Sequence, residues 1–265
     1  MGRLPLGYRP NIIYILADDM GLGKTLQAIA WVLWLKGRKP EGGPHLPILV
    51  VCPKSVLDVW ALEFKKGAPH LRVLVLHDRD LFDIKLVQEQ IDVLVLNYAQ
   101  LRSFGEELAL IRFLACILDE GQHIKNPDSQ TARSARGLRA DNRLVLSGTP
   151  LENRLLDLWS LMTFATPGAL GDRNYFHRNF DRRKDSKASE RLAARLRPFL
   201  LRRTKAQVAR DLGIAEQTLS NWRKTSKAGK LAAGSGKARL APGCSSVTIT
   251  IPSNSDTSEA KMNQP

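Results

Sequence analysis

From Asn11 to about Leu201 the chain alternates short apolar, β-branched runs with longer stretches whose apolar positions recur with a helical period. This alternation predicts βαβ units wound about a parallel sheet. The candidate strands are residues 12–17 (IIYILA), 47–52 (PILVVC), 72–77 (RVLVLH), 92–97 (DVLVLN), 115–120 (ACILDE) and 143–148 (RLVLSG). Because these runs are apolar at consecutive positions, both faces of the sheet must be covered, and the covering elements are helices. TLQAIAWVLWLKG (25–37), SVLDVWALEFKKG (55–67) and SFGEELALIRFL (103–114) read as helices, the first two closing on the Lys and Gly expected at a helix C-terminus. The expected fold class is α/β, a parallel sheet with helices on both faces.

The pattern changes after Gly171. Arg173, Arg178, Arg182, Arg183, Lys184, Lys187, Arg191, Arg195, Arg197, Arg202, Arg203 and Lys205 follow against few acids. This basic helical segment reads either as a solvated face or as a surface that tracks a phosphate backbone, with Arg202 and Arg203 assigned to DNA on the second reading. From about Leu231 to Pro265, Gly, Ser, Ala, Pro and Thr take over, and the tail is expected to be disordered. The expected division is an extension over 1–10, a lobe over 11–170, the basic segment completing it over 171–205, a helix pair over 206–230 and the tail over 231–265.

Composition narrows the partners. Forty Lys and Arg against 26 Asp and Glu give a formal charge of +14, which favours a polyanion, nucleic acid first. The 3 cysteines, Cys52, Cys116 and Cys244, are far apart and odd in number, so neither a disulfide framework nor a CxxC metal site is indicated. No apolar run approaches the roughly 20 residues of a membrane span, and MGRLPLGYRP lacks the apolar core of a secretory signal. An intracellular protein is expected, cytoplasmic in a bacterium or nuclear in a eukaryote.

Candidate chemistry gathers where the expected strands end. In LADDMGLGKT a strand stops at Ala17 and a helix opens near Lys24. Glycines between them let successive amides face an anion, the helix start adds partial positive charge, and Lys24 brings a mobile cation to the outer phosphates. Gly21, Leu22, Gly23, Lys24 and Thr25 are therefore the expected nucleotide loop, with Thr25 on Mg²⁺. Asp18 stands where a strict Walker A pattern has its first glycine. The pair Asp18 and Asp19 reads either as a polar loop or as metal ligands.

ILDEGQHIKN, farther along, ends an apolar strand in Asp119 and Glu120. Asp119 suits Mg²⁺ through its water shell, and Glu120 suits the orientation and deprotonation of a water attacking a γ-phosphate. His123 reads as a structural neighbour of this turn. LSGTPLEN places Ser147, Gly148 and Thr149 at the carboxyl edge of the sheet, where small hydroxyl residues can relay the state of the phosphate.

Taken in order, LADDMGLGKTLQAIA, LVVCPKSVLDVWALEF, DVLVLNYAQL, LDEGQHIKN, LSGTPLENRLLDLWSLMTF and RPFLLRRTKAQVARDL resemble the first lobe of the Swi/Snf-type ATPases of helicase superfamily two, from about Leu16 to Leu212. The resemblance implies a RecA-like lobe that binds ATP and Mg²⁺. It implies Lys24 and Thr25 in motif I, Asp119, Glu120 and Gln122 in motif II, and Ser147, Gly148 and Thr149 in the coupling motif. It also implies that Pro53, Lys54 and Ser55 lie near the tracking path on double-stranded DNA. Family members carry an upstream Tyr-Gln segment that recognises adenine, and here MGRLPLGYRPNIIY stands in its place. They also carry a second RecA-like lobe whose arginine fingers are worth about 10³ to 10⁵ in rate. No such lobe is legible in this sequence, so very low ATPase activity is expected of these residues alone.

Two further resemblances compete at the ends. VARDLGIAEQTLSNWRKTSKAGKL resembles the helix-turn-helix of insertion-sequence transposases, with helices at Val208–Leu212 and Thr218–Trp222 around Gly213, and Gln217, Ser220, Asn221 and Arg223 on the polar face. An amphipathic hairpin is the plainer reading, and a non-catalytic DNA-binding fragment is the alternative function. RPNIIYILADDMG resembles the opening of a sulfatase, with Asp18 and Asp19 on Ca²⁺. The segment Cys52-Pro53-Lys54-Ser55 has the wrong spacing for the formylglycine site such an enzyme needs, which leaves a sulfatase-like hydrolase a remote alternative.

Overall fold

The computed structural model describes residues 15–19, 21–38, 40, 42–77, 82–148, 155–180, 186–215, 217, 218 and 221, all within the unit Met1–Arg223. Strands β1 (Ile15–Leu16), β2 (Ile48–Cys52), β3 (Val73–Val75), β4 (Val93–Asn97), β5 (Arg112–Leu118), β6 (Arg139–Leu146) and β7 (Leu200–Leu201) form one 7-stranded sheet in the order β3-β4-β2-β5-β6-β1-β7. Every neighbouring pair is parallel. Around it lie α1 (Lys24–Gly37), α2 (Leu57–Gly67), α3 (Ile84–Glu89), α4 (Tyr98–Ser103), α5 (Gly105–Leu110), α6 (Gln130–Gly137), α7 (Leu155–Ala165), α8 (Arg173–Phe180), α9 (Ser186–Leu196) and α10 (Lys205–Asp211).

Successive residues of the inner strands enter opposite cores. Leu49 and Val51 of β2, with Leu94 and Leu96 of β4, pack with Leu101, Leu108, Leu158, Phe164 and Phe176 from α4, α5, α7 and α8. Ile48, Val50 and Cys52, with Val93 and Val95, pack with Ile29 and Val32 of α1 and Trp60 and Phe64 of α2. With both faces covered, β2 and β4 are buried at every residue, which is why their sequences show no polar alternation. The α/β class with helices on both faces is as expected.

The differences are local. The helix expected over 103–114 ends at Leu110, because Phe113 and Leu114 go to opposite cores as members of β5, a strand that begins at Arg112. A break at Phe104 separates α4 from α5, and at Gly105 a Cβ would lie 2.8 Å from Ser134 Oγ on α6, so glycine permits that close approach. Strand β6 starts at Arg139, earlier than its apolar run, because polar side chains bond along its first half. Asn142 Nδ2 donates to the Leu114 carbonyl at 2.9 Å, and the Arg143 guanidinium donates to the carbonyls of Leu138 at 2.6 Å and Phe164 at 3.2 Å. Strand β7 has no counterpart in the sequence reading; Leu200 and Leu201 pair in parallel with Ile15 and Leu16.

Helix α10 begins at Lys205, not at Val208. Thr204 and Gln207 form a capping box at its start, and Gly213 follows its end at φ 66°. The second helix expected over 218–222 and the groove-facing Ser220 and Arg223 lie largely outside the described residues, as do residues 12–14 of the first expected strand, Thr149 and the tail from Leu231.

Candidate nucleotide site

Since all the strands are parallel, their carboxyl ends share one edge, and Ala17, Pro53, Tyr98, Asp119 and Ser147 directly follow β1, β2, β4, β5 and β6 there. Open α/β sheets bind their ligands along this edge.

After β1 the chain turns through Gly21 (φ 91°) and Gly23 (φ 74°), in the left-handed region that favours glycine. At Gly23 a Cβ would meet nothing within 4 Å, so the demand there is conformational rather than steric. Helix α1 then opens at Lys24 with neither a side-chain cap nor an acid in its first turn, the arrangement that leaves a helix start suited to an anion. Lys24 Nζ folds back over the loop to the carbonyls of Asp18 at 2.7 Å and Asp19 at 3.2 Å, while Gln27 Nε2 donates to the Leu22 carbonyl at 2.9 Å.

Asp119 extends β5 by one residue, its N–H donating to the Val51 carbonyl at 2.8 Å. The Trp60 indole N–H donates to its Oδ2 at 2.9 Å and the Glu120 N–H to its Oδ1 at 3.0 Å, while the Tyr98 hydroxyl donates to its carbonyl at 2.7 Å. Burial raises the Asp119 pKa above the ordinary carboxylate value; the Trp60 hydrogen bond and the Lys24 charge oppose this, and the Glu120 charge adds to it. Only β6 separates β1 from β5, so the glycine loop and the acidic strand end lie close along the carboxyl edge of the sheet. Cys52, at the end of β2, has its thiol pushed up to about 12 by burial and by the same carboxylate.

Glu120 takes φ 52° and ψ 58°, a left-handed conformation that costs a non-glycine residue on the order of 1 kcal/mol or more. The turn closes tightly against β6, since at Gly121 a Cβ would lie 2.3 Å from Val145 Cγ1. Gln122 Nε2 donates to Glu120 Oε2 at 2.9 Å, and the Ser147 hydroxyl donates to Gln122 Oε1 at 3.3 Å. Ser147 is fully buried, and its N–H donates to the Leu16 carbonyl at 3.1 Å, so a chain of polar contacts runs from Glu120 across β6 to β1. Gly148 follows Ser147 at this edge. His123 stacks on Tyr98 with ring centroids 4.4 Å apart.

Pro53, Lys54 and Ser55 follow β2 farther along the edge. A cavity of about 470 Å³, lined by Pro53, Lys54, His77, Asn97, Tyr98 and His123 among others, lies at the ends of β2 and β4 and includes no residue of the glycine loop.

Asp18 is fully buried. Its carboxylate accepts from the Arg203 backbone N–H at 2.9 Å and from Arg203 Nε and Nη2, and this pairing raises the Arg203 pKa above its ordinary value. Lys205 N–H donates to Asp19 Oδ2 at 3.1 Å. Of the two readings of this acid pair, the polar loop is the one its bonds support. Arg203 is half-buried with its guanidinium on Asp18, whereas Arg202, the other arginine expected to face DNA, is exposed. The sulfatase reading loses its ligands here, and its cysteine is buried with a raised pKa. Trp60, Tyr98, Gln27 and the Asp18–Arg203 pair escaped the sequence reading; the one available signal was an aspartate standing at a glycine position.

Residues 9–225 match the family described as SNF2-related domain. The putative ATP-dependent helicase/translocase YwqA of Bacillus subtilis is 37% identical over 209 residues, covering 76% of this chain and 22% of that protein. The ISWI chromatin-remodeling complex ATPase ISW2 of Saccharomyces cerevisiae is 39% identical over 207 residues, covering 75% and 18%. Among solved structures, the Sulfolobus solfataricus SWI2/SNF2 ATPase core in complex with dsDNA superimposes with a TM-score of 0.67 at 40% identity, over 75% of this chain and 41% of that one. The chain thus spans about a fifth of the length of these curated relatives and about two fifths of the solved core.

Proposed function

The chain belongs to the SNF2-related domain family, and from that membership we propose that it acts as the ATP-binding first RecA-like lobe of a DNA-stimulated ATPase of the translocase kind. One observation supports the reading: in a parallel sheet β1, which leads to Lys24, and β5, which leads to Asp119, flank the same strand β6, so both residues follow strands that end on one carboxyl edge.

In this reading Gly21, Leu22, Gly23 and the first amides of α1 cradle the phosphates, and Lys24 exchanges the carbonyls of Asp18 and Asp19 for the outer phosphate oxygens. Thr25 and Asp119 would hold Mg²⁺, and Asp119, a carboxylate that burial disfavours in its charged form, suits a cation partner. Mg²⁺, when bound, neutralises charge on the phosphate oxygens. Glu120, aimed by its left-handed turn and held by Gln122, orients the attacking water and accepts its proton. Ser147 and Gly148, with Thr149, couple this acid to the edge of the sheet.

Double-stranded DNA is the proposed partner. One solved SWI2/SNF2 core that the chain resembles was determined with dsDNA, and the net charge of +14 and the exposed Lys54, Ser55 and Arg202 suit a phosphate backbone. A second RecA-like lobe supplying arginines to the γ-phosphate is part of the proposal, so very low turnover is expected from these residues alone. Among the described residues no helix is long and apolar enough to cross a membrane; the proposed setting is cytoplasmic, or nuclear in a eukaryote.

The test is titration with a fluorescent ATP analogue in Mg²⁺, comparing the native chain with Lys24→Ala. The native chain should bind and the variant should lose at least about tenfold in affinity while keeping its affinity for duplex DNA. Indifference of the native chain to nucleotide would overturn the reading.

A further inference from the structure

We propose that Arg203 is a positioning residue for the phosphate loop, reaching back from the segment after β7 to fix, through Asp18 and Gln27, the loop shape that receives the nucleotide. The inference rests on the nucleotide-binding reading above for its purpose, but not for its geometry.

A carboxylate buried as completely as that of Asp18 persists only if it is paired and hydrogen-bonded. Arg203 provides the pairing, with its backbone N–H on Oδ1 and its guanidinium on both carboxylate oxygens. The same guanidinium reaches Gln27 Oε1 at 2.8 Å, and Gln27 in turn donates to the Leu22 carbonyl at 2.9 Å. One rigid fork therefore pins the loop on both sides of its glycines, at Asp18 before them and at Gln27 after them.

Backbone bonds complete the brace. Ala17 N–H donates to the Leu201 carbonyl at 2.7 Å, Asp19 N–H to the Arg203 carbonyl at 3.0 Å, and Lys205 N–H to Asp19 Oδ2 at 3.1 Å. Lys24 Nζ rests on the carbonyls of Asp18 and Asp19, the residues this segment holds, so the seat of the phosphate-binding lysine is set by the brace as well. A loop turning through two left-handed glycines has little conformational preference of its own, and the brace supplies it.

Arg203→Lys keeps a cation beside Asp18 but cannot bond Asp18 and Gln27 together, and Gln27→Ala removes the second anchor while leaving the ion pair. Both variants are measured three ways: cooperative melting, amide hydrogen exchange over residues 17–28 without nucleotide, and affinity for the fluorescent ATP analogue in Mg²⁺. Both should melt cooperatively, exchange through the loop about tenfold faster, and bind the analogue about tenfold more weakly. If Arg203→Lys fails to melt cooperatively, Gln27→Ala decides by the same criteria. Lower melting temperatures with native loop exchange and native affinity would reduce the pair to a structural contact and overturn the proposal. Faster loop exchange in the variants of a chain that binds no nucleotide would support the brace while defeating the ATP reading.

Discussion

Trp60 donates its indole N–H to Oδ2 of Asp119 across 2.9 Å, tying helix α2 to the end of β5. The bond holds one oxygen of a carboxylate whose other oxygen accepts the Glu120 N–H. Trp60→Phe keeps most of the buried ring and deletes the donor, so the Asp119 pKa should rise further. Mg²⁺-dependent nucleotide binding is then expected to weaken about three- to tenfold, more steeply as pH falls; calorimetric titration at two pH values checks this.

Asp119→Asn should separate function from stability. The folded pKa of Asp119 lies above its ordinary value, so its contribution to stability is fully present below that ordinary value and is lost as pH rises through the folded value. At neutral pH the ionised carboxylate is therefore a cost to the nucleotide-free fold. The amide removes the buried charge but can accept only one of the two N–H bonds, so Mg²⁺-nucleotide binding should be lost while the melting temperature changes little and no longer falls as pH rises through the folded value.

Gly121→Ala meets a harder obstacle. Its Cβ would lie 2.3 Å from Val145 Cγ1 and 3.3 Å from Leu161 Cδ2, both in packed elements. A loss of about 2–4 kcal/mol is expected in denaturant unfolding, against well under 1 kcal/mol for Gly137→Ala in comparison, since nothing lies within 4 Å of the added atom there.

Glu120→Gln should bind nucleotide as the native chain does and lose whatever turnover the chain has, because the amide cannot accept the proton. Glu120→Gly, relieved of its left-handed strain, should also lose turnover but melt higher, by about 1 kcal/mol. Equal melting of both variants would show that the turn stores no strain.

Duplex binding should weaken linearly with the logarithm of salt concentration, and Lys54→Ala should reduce the slope by about one. Fluorescence anisotropy across a salt series measures it. An unchanged slope would remove Lys54 from the phosphate contacts.

Strands β2 and β4 were legible because each is buried on both faces and so is apolar at nearly every position. The residues 103–114 misled because Phe113 and Leu114 continue a helical period while belonging to opposite faces of a strand. Strand β7 left no mark, since two residues carry no period. At the site, Lys24, Asp119 and Glu120 announce themselves by residue type at a strand end, whereas Asp18 and Arg203 meet across 185 residues, and nothing in their spacing signals the partnership. The arginine was hidden in a run of other arginines, each plausible as a surface charge.

Strand β6 lies between β1, which leads into the glycine loop, and β5, which leads into the acids. The halves of the grip are thus not bonded to each other but hang from one shared strand, at a separation of two interstrand spacings, about 10 Å. That strand works as a gauge. A shift along or away from it alters the gap between lysine and carboxylate directly, while Ser147 at its tip rides with the same shift.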